Sequence, residues 1–122
     1  MVGRKEFTVN IPMVEDGRAI AGTIYAPLLE QVWFGGTASY TLSASPRQDA
    51  GDLTGARRIG VRVPPDTGLV ALVSRSHPDP ATEAYLSRLP LAERRPIGSS
   101  LKFCHIAEGL ADIYPRLGSI RE

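Results

Sequence analysis

Apolar and polar residues alternate from Phe7 to Met13, with Phe7, Val9, Ile11 and Met13 on one face and Thr8, Asn10 and Pro12 on the other. A period of two predicts a half-buried strand, and Pro12, which has no N–H to give a ladder, places it at a sheet edge or a strand end. Glu15-Asp16-Gly17-Arg18 interrupts the pattern with a glycine suited to positive φ. Ala19 to Ala26 then resumes it, so the two runs form a predicted hairpin that Pro27 closes. Short strands are also predicted over Gln31 to Phe34, Ser39 to Ser43 and Arg58 to Val63, separated by Gly35-Gly36 and by the polar stretch from Pro46 to Gly55.

Pro64-Pro65-Asp66-Thr67-Gly68 is the strongest punctuation in the chain and divides it into two units, 1–66 and 67–122. The apolar run Leu69 to Val73 beyond it predicts a strand buried on both faces. Asp79 followed by Pro80 has the form of an N-cap with proline in the first turn, and Ala84, Tyr85 and Leu89 can share a helix face. Ser99 or Ser100 caps a second predicted helix, Leu101 to Glu108, which Gly109 stops before a strand over Ala111 to Tyr114. A β-rich first half and a β-α-α-β second half give an α/β or α+β layered class.

Composition fits a globular domain: of 122 residues, 43% are hydrophobic and 22% charged. Lysine plus arginine number 14 against 13 acids, a formal charge of +1, which disfavours binding to nucleic acid polymers. A lone cysteine, Cys104, allows no internal disulfide and no thiol zinc site, so a reducing compartment, the cytoplasm, is expected. Apolar neighbours predict that its thiol is inert. No apolar run approaches the roughly 18 residues of a membrane span, and no signal peptide is expected.

The clearest local chemistry lies in Gly98-Ser99-Ser100-Leu101-Lys102, where hydroxyls and free N–H groups at a helix start favour an anion. Lys102 falls in the first turn, where a cation opposes the helix dipole unless a phosphate is bound. Serine capping alone is the plainer explanation. His77 follows a buried strand, at the kind of strand end where α/β folds place ligands, and Arg116 follows Tyr114-Pro115 with a guanidinium fork suited to phosphate or carboxylate. Both also fit ordinary surface positions. His105 and Glu108 are within reach along a helix but lack a third ligand, and no G-x-S-x-G elbow accompanies the serines.

The run from Ile97 to Arg116, I-G-S-S-L-K-F-C-H-I-A-E-G-L-A-D-I-Y-P-R, resembles the bacterial 3'(2'),5'-bisphosphate nucleotidases of the inositol monophosphatase superfamily. Glu6 to Ile11, Tyr25-Ala26-Pro27 and Val73 to His77 resemble the same family in the same order. The resemblance implies part of an αβαβα sandwich and a magnesium-dependent hydrolase acting on the 3'-phosphate of 3'-phosphoadenosine 5'-phosphate to give AMP, in sulfur metabolism. It further implies that Ser99 and Lys102 approach the 5'-phosphate, that Arg116 assists at the same nucleotide end, that His77 lies beside the adenosine, and that Ser100 is a further substrate-binding candidate.

The family's metal-binding D-P-x-D-G-T and W-D-x-A-A-G motifs are absent from these 122 residues. Magnesium needs several oxygen ligands in near-octahedral array, so the isolated chain is expected to be inactive, with exposed sheet surfaces that invite a homo-oligomer or a complementing chain. The alternatives are a non-catalytic adenosine-nucleotide-binding remnant and a fragment of an inositol monophosphatase-type sugar phosphatase.

Overall fold

The computed structural model describes residues 6–49, 51–75 and 79–118. Their elements are β1 (Val9–Glu15), β2 (Arg18–Ala26), β3 (Gln31–Gly35), β4 (Ser39–Ser43), β5 (Arg57–Ile59), β6 (Leu69–Val73), α1 (Pro80–Leu86), β7 (Leu91–Pro96) and α2 (Leu101–Ala107). None of the described helices is long and apolar enough to cross a membrane.

The first five strands form an antiparallel meander in the order β1-β2-β3-β4-β5. The β1–β2 turn holds Asp16 at φ 50 and Gly17 at φ 77, two left-handed residues in succession, which suits the right-handed twist of a hairpin. Register follows burial: Ile24 lies opposite Trp33 and Trp33 opposite Thr41, and these side chains share the inner face. β5 is shorter than the predicted Arg58 to Val63. Val61 and Val63 stay exposed, and Arg62 leaves the sheet to bond Asp112.

The second half departs from the predicted β-α-α-β order. Leu91–Pro96 forms β7, which pairs in parallel with β6, so α1 is the crossover of a β-α-β unit. Its sequence, L-A-E-R-R-P, carries no strand alternation because this strand faces solvent over most of its length. Backbone pairing to β6, the ion pair from Arg94 to Glu83 (2.7 Å) and a bond from the Arg95 guanidinium to the Leu110 carbonyl (3.1 Å) fix it. The predicted strand over Ala111 to Tyr114 is reduced to a single parallel bridge, Ile113 to Ala71, on the other side of β6. Leu72 N–H donates to Ile113 C=O at 2.9 Å, and Asp112 N–H to Val70 C=O at 2.9 Å.

Both predicted helices are present. Asp79 caps α1, accepting from Thr82 N–H at 2.9 Å, with Pro80 where its missing N–H costs nothing. Leu101, Cys104 and Ile97 of the α2 region pack with Val70 and Leu72 of β6 and with Ala26 and Trp33 of the first sheet, so one core joins the two sheets through α2. Leu72 and Leu86 are fully buried, each such side chain contributing about 1.5–3 kcal/mol of transfer free energy.

Candidate functional site

β6 is flanked by β7 on one side and by the Ile113 bridge on the other, all parallel. The chain runs from β6 through α1 to β7, then through α2 back across to Ile113. The direction of winding reverses at β6, and in open α/β sheets such a reversal opens a crevice at the carboxyl ends of the strands. Those ends are Val73-Ser74-Arg75, Pro96-Ile97-Gly98 and Tyr114-Pro115-Arg116, so Ser99, Ser100 and Arg116 lie on one edge or just beyond it.

Glu6 is the residue the sequence reading overlooked. Its carboxylate accepts from the Arg75 guanidinium (Nε at 2.8 and 2.9 Å, Nη2 at 2.5 Å) and from Gly98 N–H at 3.0 Å. The Ser99 hydroxyl donates to the Glu6 carbonyl. One residue thus ties the lead into β1, the end of β6 and the entry to α2. Gly98 lets that carboxylate approach, since a Cβ there would lie 2.7 Å from Glu6 Oε1 and would push it aside. The signal was a carboxylate in E-F-T-V-N-I, inside a stretch that resembled the family, but nothing local announced partners 69 and 92 positions away.

Ser100 occupies the N-cap position of α2 and makes no side-chain cap bond, while Ser99 is held at φ 51, a left-handed conformation uncommon for serine. The hydroxyls therefore do not converge on one spot as expected: Ser99 faces Glu6. Lys102 instead reaches the end of the parallel strands. Its Nζ donates to Tyr114 Oη at 3.3 Å and stands 4.6 Å from the Tyr114 ring centroid, a cation–π contact that gives the cation a local reason to sit in the first turn.

Arg116 lines a pocket of about 90 Å³ with Ser74, Asp79, Thr82, Arg94 and Tyr114. Its Nε is buried and has no hydrogen-bond partner among the described residues. A buried donor left unmet costs free energy, so this atom marks a place where an acceptor from outside would be stabilising. Tyr114 touches both the Lys102 ammonium and the Arg116 pocket, and so brings those two candidates together. His77 lies outside the described residues.

Other titrating groups near the site are structural. Burial pushes the Cys104 thiol up to about 12, with Glu108 adding to the effect, which matches an inert thiol. Hydrogen bonds from Thr82 hold the Asp79 carboxyl below its usual range. Glu108 does not pair with His105; it accepts from Trp33 and Arg57. Among the described residues no group of three or more His, Cys, Asp or Glu side chains is placed to hold a metal ion. The acids beside the site are engaged, Asp79 as a cap, Glu6 with Arg75 and Glu83 with Arg94. These residues do not fit a magnesium centre and supply no hydrolytic step through one.

A layered α/β unit with candidate ligand residues at a reversal of its parallel strands is the setting in which known relatives become informative, and the model of the inositol monophosphatase family matches residues 2–122. The chain belongs to that family. It is 37% identical over 115 residues to the 3'(2'),5'-bisphosphate nucleotidase CysQ of Salmonella typhimurium and 36% identical over 113 residues to that of Escherichia coli strain K12. In both cases the match takes in 93% of this chain and 42% of the relative, so the chain spans less than half the length of these relatives. The crystal structure of CysQ from Bacteroides thetaiotaomicron superposes with a TM-score of 0.78 at 32% identity, covering 93% of this chain and 46% of that one. Mycobacterium tuberculosis SuhB superposes at 0.65 with 20% identity and supports the fold alone.

Proposed function

We propose that this chain is the nucleotide-side portion of a 3'(2'),5'-bisphosphate nucleotidase, binding an adenosine phosphate such as 3'-phosphoadenosine 5'-phosphate or AMP at the carboxyl edge of β6, β7 and the Ile113 bridge. The observation that carries the reading is the sharing of Tyr114 by Lys102 and by the pocket around Arg116. Two cations at one strand edge, one with a buried unmet donor, suit a phosphate, whose oxygens accept several charge-assisted hydrogen bonds at once. The identity of about 36% to proteins named as bisphosphate nucleotidases gives that phosphate its nucleoside.

In this reading Lys102 and Arg116 hold the 5'-phosphate. Ser99 orders the entry to α2 through Glu6, Ser100 lies next to it at the cap, and His77 borders the adenosine. Hydrolysis of the 3'-phosphate is assigned to the whole family fold, where a bound magnesium would supply Lewis-acid chemistry that this chain's residues do not hold. The 122-residue chain binds without hydrolysing, because the described residues offer no set of carboxylates for the metal. A lone buried thiol suits a reducing, cytoplasmic setting.

Calorimetric titration of 3'-phosphoadenosine 5'-phosphate and of AMP into the wild type, Lys102→Ala and Arg116→Ala tests this. Each substitution is expected to weaken binding by about tenfold, the loss of one charge-assisted contact. Heat that is absent in the wild type, or unchanged in both variants, removes the nucleotide from this edge. Magnesium-dependent phosphate release by the isolated chain would overturn the assignment of catalysis to the rest of the fold.

A further inference from the structure

Residues 114–118 belong to no strand or helix, yet Arg116 keeps a buried Nε–H with no acceptor among the described residues. An unmet buried donor favours any movement that returns the guanidinium to water, so its place must be held by other bonds. Those bonds come from the start of α1. Thr82 Oγ1 accepts from Leu117 N–H at 2.9 Å, and its own proton goes to Asp79 Oδ2 at 2.5 Å. Asp79 is fixed in turn by Thr82 N–H at 2.9 Å and accepts from Gly118 N–H as well. Gly118 can come this close because it lacks a side chain: a Cβ would lie 2.7 Å from Asp79 Cγ and 3.0 Å from Asp79 Cβ. The two residues that follow Arg116 are thus clasped to α1.

Nothing in the capping of α1 requires this second set of bonds. Asp79 meets the cap through its bond from Thr82 N–H, which any side chain at position 82 would leave intact. The Thr82 hydroxyl joins that cap to the Leu117 backbone, a task for a group that donates and accepts at once. Thr82, Asp79 and Arg116 line the same pocket, so the clasp acts on the side chain that the pocket contains. We propose that Thr82 is a positioning residue of the anion site: through Leu117 and Asp79 it holds the Arg116 Nε–H toward the pocket, ready for a phosphate oxygen. The choice of phosphate rests on the nucleotide reading of this edge, whereas the clasp rests on the bonds themselves and is measurable without ligand.

Thr82→Val keeps the shape of the side chain and removes both hydroxyl bonds, while Thr82→Ser keeps them. In the unliganded 122-residue chain, exchange of the Arg116 Nε–H with solvent, followed by NMR, reads its position directly. Thr82→Val is expected to speed that exchange by about tenfold or more relative to the Leu72 N–H, which bonds Ile113 C=O and reports opening of the core. Thr82→Ser is expected to restore the wild-type rate. In calorimetric titration with AMP, Thr82→Val is expected to weaken binding about fivefold, and to cost nothing further when Arg116 is already replaced by alanine. An Arg116 rate that Thr82→Val leaves unchanged, or alters only as much as that of Leu72, overturns the proposal. So does a serine variant that behaves as the valine one, or a loss of affinity that persists in the Arg116→Ala background, since either marks Thr82 as a brace for the fold alone. A wild type that binds no AMP removes the nucleotide from this edge, and the exchange rates then decide the clasp by themselves.

Discussion

Trp33 Nε1 donates to Glu108 Oε1 at 2.5 Å, joining β3 to the end of α2 across 75 positions of sequence. The other carboxylate oxygen accepts from Arg57 of β5 at 3.0 Å, so Glu108 fastens α2 to two strands of the first sheet. Both partners are withdrawn from water, Trp33 at 6% exposure and the Glu108 side chain at 9%. Trp33→Phe keeps an apolar ring in the core and removes the donor, leaving the carboxylate to Arg57. The loss expected from a hydrogen bond to a charged group is about 2 kcal/mol, read as a lower urea midpoint at unchanged slope. A midpoint equal to the wild type would show that the bond adds nothing to folding.

Asp112 is the second joint between halves of the chain. Arg62 grips its carboxylate with two bonds, 2.9 and 2.8 Å, and Val70 N–H adds a third at 2.7 Å. The Asp112 side chain is 1% exposed, so Arg62→Ala strands a charge with one donor, which destabilises more than the pair itself stabilises. Arg62→Ala is expected to lower the melting temperature by about 5 °C or more, and Arg62→Lys to restore little because an ammonium lacks the fork. Adding Asp112→Asn to Arg62→Ala should recover part of the loss, since it removes the stranded charge.

Stability should decline in two stages as pH falls. Burial, aided by Arg95, holds the His105 imidazole below its usual pKa, so the unfolded chain takes up a proton first and stability is lost as pH falls below about 6.5. Asp112, lowered by its bond from Arg62, and Asp79, lowered by Thr82, contribute stability that is present above about pH 4 and lost as pH falls through their depressed folded values. Urea midpoints measured from pH 8 to pH 3 would show both stages, and His105→Gln should abolish the first while leaving the second. An unaltered first stage in that variant would place its origin elsewhere.

What could be read from the chain and what could not divide along a physical line. Ser39–Ser43, whose apolar and polar residues alternate in sequence, and Leu69–Val73, a continuous apolar run buried at its centre, were legible because the local pattern is itself that of a strand. The Asp79 cap was legible because its signal spans three residues. β7 was not, since Leu91–Pro96 is polar and exposed and becomes a strand only through its pairing with β6. The site divided likewise. Lys102 and Arg116 carried side chains and positions that suggested an anion, but Tyr114, which brings them together, and Glu6, which occupies the Gly98 N–H, act through contacts 12 and 92 positions long. Chain chemistry names the candidates; only the fold says which of them meet.

Gly68 separates the proline-rich punctuation from β6 at φ 119, and a Cβ there would lie 2.9 Å from both Ala92 N and Pro90 C=O. Both neighbours are backbone, so neither can swing aside as a side chain would. Gly68→Ala therefore combines an unfavourable dihedral with a clash that pushes β7 from β6. Weakened amide protection is expected at Leu69, which donates to Pro90 C=O at 2.8 Å, together with a lower melting temperature. Protection equal to the wild type at Leu69 would show that β7 adjusts without cost.

Tyr114 allows the ring to be separated from its hydroxyl. Tyr114→Phe keeps a π face 4.6 Å from the Lys102 ammonium and gives up only the 3.3 Å bond to Oη, while Tyr114→Leu removes the quadrupole as well. The ring also meets Phe103 edge-on at a centroid distance of 6.1 Å, so both variants are to be compared at matched temperature below their melting points. If the face of Tyr114 holds Lys102 toward the pocket of Arg116, AMP affinity falls little in Tyr114→Phe and about tenfold in Tyr114→Leu, the loss of one oriented charge. Equal affinities in the two variants and the wild type would mean that Lys102 reaches an anion without the ring, and that Tyr114 serves packing alone.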